Sequence, residues 1–253
     1  SRSLNHINAC QSMGPEPNGA PIREFNIFLV LYDCKDNIND LLWIYKGSIM
    51  TGNIPPTFDK VNTNTTLLQS TKDRNAWVGS PSFSLRNRIY RIVWTLAWAL
   101  LGSWTPPPMK AWRRWLLRAF GAKVAATANV YGSARIWSPL NLTLDEFALV
   151  GPRTTIYSQG SIHIGAYSII SQGSHLCAGT HDVEDPNFQL RTSPIIIGAR
   201  AWIAAEAFVG PGVTVGEGAV LGARSCAMRN IPDWMIYSGN PAQPLRERKI
   251  RFD

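Results

Sequence analysis

Aliphatic residues recur at every sixth position through the second half of this 253-residue chain, and this period restricts its fold more than any other feature. A period of six matches neither the 3.6-residue turn of an α-helix nor the simple alternation of a β-strand. The series shifts by two residues twice and is interrupted once. Its members are Val124, Val130, Ile136, Leu144, Val150, Ile156, Ile162, Ile164, Ile170, Leu176, Ile197, Ile203, Val209, Val215 and Leu221.

The six-residue period predicts a coil with three flat sides, each formed by one hexapeptide whose aliphatic residue points inward. Three hexapeptides give one coil of about 18 residues, and stacked coils pair as parallel strands about 4.8 Å apart. On this period, residues 124–180 would form about three coils and residues 197–232 about two. Glycine often follows the aliphatic residue, as at Gly165 and Gly198, and we expect it to supply the unusual dihedral angles of the corners. The predicted fold is an all-β solenoid, because no helical pattern alternates with the repeats as a doubly wound α/β sheet would require.

The repeat breaks in the stretch LCAGTHDVED, residues 176–185. Leu176 is the last inward residue of a coil, and Thr180 is the small residue that flanks it. We expect the chain to leave the solenoid at His181 and to form a loop excursion over residues 182–196 before the repeat resumes. A rigid coil would then hold a histidine beside a loop.

The residues before the repeats divide into two parts. Residues 1–78 form an extension without a motif, in which EFNIFLVLY could be a strand, NDLLWIYKG a strand or a helix, and residues 61–75 a linker. Residues 79–123 carry an apolar stretch at 92–104 and then a basic, tryptophan-rich stretch, which predicts helical segments. Two interpretations stay open: helices packed on the solenoid, or a peripheral membrane contact through residues 92–118. The second would use Trp94, Trp98, Trp104, Lys110, Arg113, Arg114 and Arg118.

The net charge of +8 favours anionic partners, but no nucleic-acid-binding motif accompanies it. Cys10, Cys34, Cys177 and Cys226 form no CxxC pair, which favours free thiols in a reducing compartment. No apolar signal segment is visible near the beginning of the chain. These features predict a cytoplasmic location, with the inner face of the membrane as a possible site of attachment.

The segment from GSHLCAGTHD through AWIAAEAFVGPGVTVGEGAVLGARS to IYSGNPAQPLRER resembles the hexapeptide-repeat, left-handed β-helix acetyltransferases. With RAFGAKV and the repeats of residues 135–172, the resemblance is strongest to the colanic acid biosynthesis acetyltransferases. It covers roughly residues 83–250. The resemblance implies a left-handed parallel β-helix over residues 124–253, preceded by the helical segments.

The resemblance also implies an activity: transfer of acetyl from acetyl-CoA to a sugar hydroxyl, in exopolysaccharide or glycolipid biosynthesis, by a homotrimer. His181 occupies the place of the family's general base, and an imidazole can exchange a proton near neutral pH. Direct attack of the hydroxyl on the thioester would need no covalent intermediate. Asp182 or Glu184 could orient His181, although a backbone carbonyl could do so as well. Asp182 could also be only a turn residue.

The same resemblance implies a coenzyme A site. Trp202, Ala204 and Ala205 match the stretch that lines the pantetheine channel, and small side chains there would expose backbone amides. Ala223 and Arg224 follow one coil later and could contact the lower part of coenzyme A. Arg246 is a cation suited to a phosphate of coenzyme A, or part of a solvated tail.

Three alternatives compete with this interpretation. A zinc site of the γ-carbonic anhydrase type could use His163, His175 and His181, but the spacing of two histidines five residues apart is missing. A hexapeptide-repeat protein could be a non-catalytic scaffold. Cys177 could form an acyl-enzyme, although no activating group accompanies it in the sequence. The acetyltransferase interpretation predicts no metal.

Overall fold

The computed structural model describes residues 40–45, 48–53, 76–78 and 82–250 of the chain. A first compact unit, residues 1–59, contains an antiparallel hairpin of β1 (Asp40–Tyr45) and β2 (Ser48–Asn53). NDLLWIYKG thus contributes a strand rather than a helix. The strand expected in EFNIFLVLY, the linker of residues 61–75, Cys10 and Cys34 lie outside the described residues.

The second unit, residues 60–253, contains a solenoid with three parallel faces. The first face contains β3 (Lys123–Val124), β6 (Leu142–Leu144), β9 (Ile162–Ile164), β14 (Ile195–Ile197) and β17 (Thr214–Val215). The second contains β4 (Asn129–Val130), β7 (Leu149–Val150), β10 (Ile169–Ile170), β15 (Trp202–Ile203), β18 (Val220–Leu221) and β20 (Met235–Ser238). The third contains β5 (Arg135–Ile136), β8 (Thr155–Tyr157), β11 (His175–Cys177), β16 (Phe208–Val209) and β19 (Cys226–Ala227). A hairpin of β12 (Gly179–His181) and β13 (Leu190–Thr192) lies outside these faces, and β21 (Gln243–Glu247) pairs antiparallel with β20.

The predicted interior is confirmed. Every aliphatic residue of the six-residue series is buried, and none is more than 7% exposed. The solenoid has five complete coils and the start of a sixth. Its core is therefore a stack of inward residues, each covered by its counterpart one coil away.

The two-residue shifts in the repeat are explained by one corner. Register partners lie 20 residues apart in the first coils, as in Val130, Val150 and Ile170, but 18 apart in Ile203 and Leu221. The extra residues lie where the third face returns to the first. There the buried Ser158 hydroxyl donates to the Ser138 carbonyl at 2.8 Å. The β12–β13 hairpin is inserted at this same corner, one coil later.

The corner glycines have a different role from the one expected. Gly165 and Gly198 do not adopt positive φ angles; those occur at the second turn residue, for example Arg200, Glu206 and Arg224. A Cβ atom on Gly198 would lie 2.6 Å from the amide nitrogen of Glu217 in the next coil. These glycines are required by close approach of the neighbouring backbone rather than by conformation.

The segment before the coils forms helix α1 (Leu85–Ala97), a π-helical turn (Trp98–Gly102), a 3₁₀ turn (Pro107–Met109) and helix α2 (Lys110–Ala119). Short 3₁₀ turns also occur at Ala76–Val78 and Pro139–Asn141. Among the described helices, none has the length and apolar character that crossing a membrane would require.

These helices cap the open edge of the first coil, whose carbonyls have no preceding coil to pair with. Side-chain nitrogens supply the missing donors. The pairs are Trp94 to Ile136 at 2.7 Å, Trp98 to Ala134 at 3.0 Å, Arg113 to Val130 at 2.6 Å, Arg114 to Ala128 at 3.1 Å and Arg118 to Val124 at 2.7 Å. This side of the helices is thus packed on the solenoid. Trp94, Trp98 and Arg113 are buried, so they cannot form a membrane contact as the alternative required.

Candidate active site

The β12–β13 hairpin carries His181 away from the solenoid. Gly179 pairs with Thr192 and His181 with Leu190, which sets the register of the two strands. The departure comes earlier than expected: Ala178 is the last buried residue of the coil, and Thr180 is already exposed. The excursion therefore begins at Gly179 rather than after His181, and it gives the histidine a strand backbone instead of a loose loop.

The imidazole of His181 is held by a hydrogen bond across the hairpin. Its Nδ1 lies 2.9 Å from the carbonyl oxygen of Phe188 across the hairpin. Because a carbonyl can only accept, Nδ1 must carry the proton, and Nε2 of the neutral ring is then an acceptor. This tautomer is the one that a general base needs.

Aromatic rings fix the plane of the imidazole. The ring of Phe188 lies parallel to that of His181, with centroids 4.4 Å apart and an interplanar angle of 8°. Trp77 contacts the ring of Phe188 with a centroid distance of 4.5 Å, and the Ala76 amide donates to the Asn187 carbonyl at 2.9 Å. The 3₁₀ turn of residues 76–78 therefore packs on the tip of the hairpin and supports the stack from outside.

Asp182 does not contact the imidazole. One carboxylate oxygen accepts from the Glu184 amide at 3.1 Å, and the other pairs with the guanidinium of Arg191. Asp182 directly follows β12, and its amide still donates to the Gln189 carbonyl at 2.8 Å across the hairpin. The alternation of side chains along an extended backbone therefore turns Asp182 away from the side of His181. The sequence left open whether a carboxylate or a backbone carbonyl contacts the imidazole. In the structure the Phe188 carbonyl does so, and Asp182 stabilises the turn that follows.

The alanine stretch lies at the corner between the second and third faces. The Ala204 amide donates to Leu221 at 2.9 Å, and its carbonyl accepts from the Ser174 hydroxyl at 2.9 Å, so both groups are used inside the solenoid. The Ala205 and Ala223 amides donate to no protein acceptor within the described residues. These two amides lie one coil apart, about 4.8 Å along the axis, and are available to a ligand.

The other predicted coenzyme A residues lie on the outer surface of the solenoid. Trp202 lies on the outer surface of the second face, and its Nε1 donates to the Ser171 hydroxyl at 2.9 Å. Arg224 pairs with Glu206 at 2.6 Å on the exposed surface. Arg246 is exposed on β21.

The structure separates the alanine corner from His181. The alanines lie where the third face begins, and the hairpin leaves where that face ends. The strands of the third face, here β11, therefore lie between the two groups within one chain.

The three histidines of the zinc alternative are not brought together. His163 lies on the first face with its Nε2 2.8 Å from the Asp145 carboxylate. His175 lies on the third face between Tyr157 and Phe208, and His181 stacks in the hairpin. In the part of the chain that the structure describes, no three metal-ligating side chains converge. Cys177 donates its thiol to the Gly179 carbonyl, with Sγ 3.3 Å from the oxygen.

Comparison with known proteins decides the family. No family model matches the chain. The "Putative colanic acid biosynthesis acetyltransferase WcaF" of Escherichia coli K12 is 42% identical over 162 residues, which cover 64% of this chain and 89% of WcaF. The chain belongs to the hexapeptide-repeat acetyltransferases.

Solved structures agree with this family in fold. A maltose O-acetyltransferase from Clostridium difficile 630 has a TM-score of 0.56 at 21% identity, covering 66% of this chain and 90% of that one. The hexapeptide-repeat acetyltransferase VCA0836 of Vibrio cholerae, complexed with acetyl-CoA, has a TM-score of 0.60 at 17% identity, covering 66% and 91%. The solenoid is thus the left-handed β-helix of the hexapeptide-repeat acetyltransferases.

Two residues of this candidate site could not be selected from the sequence. Phe188 lies seven residues beyond His181 in a stretch without periodicity, and Trp77 lies in the extension before the repeats. Both act through the hairpin, whose register no six-residue pattern encodes. The only signal was the presence of an aromatic residue within the interruption.

Proposed function

We propose that this acetyltransferase transfers the acetyl group of acetyl-CoA to a hydroxyl of a sugar, in polysaccharide or glycolipid biosynthesis. The observation that carries the proposal is the fixed tautomer of His181, with Nδ1–H bound to the Phe188 carbonyl and Nε2 left as an acceptor. The name of WcaF supports a polysaccharide setting, and the maltose O-acetyltransferase supports a sugar hydroxyl. The free thiols of Cys177 and Cys226 fit a cytoplasmic location.

The proposed chemistry is a direct attack. His181 Nε2 accepts the proton of the acceptor hydroxyl while the hydroxyl oxygen bonds to the thioester carbonyl carbon. The carbon–sulfur bond then breaks, and the proton passes from Nε2 to the departing sulfur. The products are the acetyl ester and the free thiol of coenzyme A. The Phe188 carbonyl stabilises the protonated imidazole between these two transfers.

The alanine corner suits the pantetheine arm of the cosubstrate. That arm is linear and carries two amides, and the unpaired amides of Ala205 and Ala223 can donate to their carbonyls. The neighbouring coils present these donors at a fixed spacing. Trp202 and Arg224 flank the corner, and the exposed guanidinium of Arg246 can bind a phosphate.

We infer that the working form is a homotrimer whose sites lie between subunits. Within one chain, His181 and the alanine corner lie at opposite ends of the third face. In a cyclic assembly the same two surfaces meet at every interface, so the hairpin of one subunit can face the corner of the next.

The test is a thiol-release assay with acetyl-CoA against a panel of nucleotide sugars and bacterial glycans. We expect one acceptor class to stimulate release, and proton NMR of the product to identify an acetyl ester. The His181→Ala variant should lose about 10²-fold or more in turnover while keeping its oligomeric mass. Near wild-type turnover in that variant would contradict the assignment of the base. An acetamide product would contradict the hydroxyl acceptor.

A further inference from the structure

Helix α1 and the π-helical turn after it present a continuous apolar face to solvent. These side chains follow helical spacing and are between 44% and 69% exposed. They are Leu85, Ile89, Ile92, Val93, Leu96, Leu100 and Leu101. A surface helix normally places polar residues on its outer side, so a helix that is apolar on both sides indicates a second partner.

The helix cannot turn this face inward. Its opposite side is fixed by the buried indoles of Trp94 and Trp98, which donate to the first coil at Ile136 and Ala134. Tyr90 adds a third anchor, with its hydroxyl 2.6 Å from the Phe120 carbonyl. The helix therefore lies along the solenoid and displays its apolar side outward over its whole length.

Tryptophans extend the face at its carboxyl-terminal end. Trp104 is 68% exposed, and its indole nitrogen donates to the Leu100 carbonyl at 2.6 Å. Trp112 and Trp115 stack with centroids 4.9 Å apart, and Trp112 donates to the Leu101 carbonyl at 2.7 Å. Aliphatic residues bordered by tryptophans are typical of segments at the boundary between lipid and water.

The charge around the face is of one sign. Between residues 74 and 144 the chain has ten lysines and arginines, and none of its 17 acidic residues. Arg86 and Arg88 are exposed near the start of α1, and Lys110 is exposed at the start of α2. The four ion pairs found in the described residues all involve residues from 145 onward. Arg86, Arg88 and Lys110 are exposed and form no ion pair among the described residues, so they are available to an anionic partner.

We propose that this face, from Leu85 to Trp115, lies in the surface of a bilayer that contains anionic lipids. The side chains of α1 enter the boundary of the acyl chains, the tryptophans lie at headgroup level, and Arg86, Arg88 and Lys110 contact lipid phosphates. A second copy of the chain fits this surface less well, because two such faces would bring like charges together. The proposal is independent of the chemistry proposed for His181.

Vesicle flotation of the full chain tests the proposal. We expect binding to phosphatidylcholine vesicles that contain phosphatidylglycerol, weaker binding to phosphatidylcholine alone, and a decrease with added salt. Leu100→Glu should lower the bound fraction at least about fivefold, because it places a charge in the apolar layer. The matched control is Leu245→Glu, since Leu245 is 65% exposed on β21 and Leu100 is 69% exposed on the π-helical turn. The control should bind as wild type does.

A second variant, Leu96→Glu, protects the test against a folding defect at one position, and circular dichroism confirms that each variant is folded. Failure of the wild-type chain to float with either vesicle type would overturn the proposal. So would equal binding to both vesicle types, or unchanged binding by both glutamate variants. If Leu100→Glu instead lowers the oligomeric mass of a chain that does not float, the face is an interface between copies.

Discussion

The backbone and the ring of Phe188 both contact the imidazole of His181. The carbonyl of Phe188 accepts the Nδ1–H at 2.9 Å, and its ring lies parallel to the imidazole at 4.4 Å. Phe188 adopts a positive φ of 50°, a conformation that costs an L-residue about 1–2 kcal/mol. One strained residue thus sets both the tautomer and the plane of the proposed base.

Two substitutions at Phe188 separate the contribution of the stacked ring from the energetic cost of the positive φ. Phe188→Ala and Phe188→Gly both remove the stacked ring and keep the carbonyl, so both should lower kcat about tenfold through looser orientation of His181. Glycine tolerates positive φ, so the glycine variant should be about 1 kcal/mol more stable than the alanine variant. Thiol-release kinetics and thermal unfolding measure the two effects.

The control for this pair is Phe188→Tyr, which keeps a stacked ring and should retain the wild-type kcat. A positioning role affects kcat while KM for acetyl-CoA stays within about twofold. If KM rose in proportion to the loss of kcat/KM while kcat stayed constant, the ring would be binding substrate rather than orienting the base.

The Asp182→Asn variant distinguishes a structural role of Asp182 in the turn from a catalytic role beside His181. The amide oxygen can still accept from the Glu184 amide, and only the negative charge that pairs with Arg191 is lost. Because Asp182 forms no hydrogen bond with the imidazole, kcat should stay within about threefold of wild type, with a small loss of stability from an ion pair whose guanidinium is exposed. A loss of 10²-fold or more, as expected for a catalytic dyad, would contradict this geometry. Steady-state kinetics of the purified variant suffices.

The solenoid was predictable because its information is local and repeated. Each inward residue, such as Ile156 or Val209, occupies the same position in its hexapeptide, so many weak signals add. The two-residue shifts were visible in the sequence, but their cause was not. Only the structure shows that Ser138 and Ser158 bridge an enlarged corner.

The hairpin and the helical cap were less predictable because their contacts are non-local. The break in the repeat drew attention to His181, and the family resemblance implied its role, but its partner Phe188 depends on the strand register. Likewise, the sequence alone suggests that Arg113 is a surface cation. In the structure its guanidinium is buried and covers the carbonyl edge of the first coil, with hydrogen bonds to Val130 and Thr105. A residue's environment in the hairpin or at the solenoid edge cannot be inferred from its spacing alone.

His175 should make stability depend on pH. Burial against the third face lowers the pKa of His175 below its ordinary 6.5, and its Nε2 is buried without a hydrogen-bond partner among the described residues. The unfolded chain therefore takes up a proton at a higher pH than the folded one. This contribution to stability is complete above about pH 6.5 and declines as the pH falls through 6.5 toward the lower pKa of the folded state.

The measurement is the melting temperature at pH 7.0 and pH 5.0. Between pH 7.0 and pH 5.0, the melting temperature of the wild type should fall further than that of His175→Gln, because glutamine does not titrate. An equal decrease in melting temperature in the two proteins would show that other groups determine the response to acid.

Mixed trimers test whether His181 and the alanine corner of different subunits form one site. His181→Ala removes the base, and Ala205→Trp fills the corner where the pantetheine arm is proposed to bind, so each homotrimer should be inactive. After random mixing of the two variants, about one interface in four joins an intact His181 to an intact Ala205 of the next subunit in a cyclic trimer. Co-expression should therefore restore about a quarter of the wild-type activity. If each chain instead contained its whole site, the mixture would stay inactive, because every copy has lost either the base or the corner.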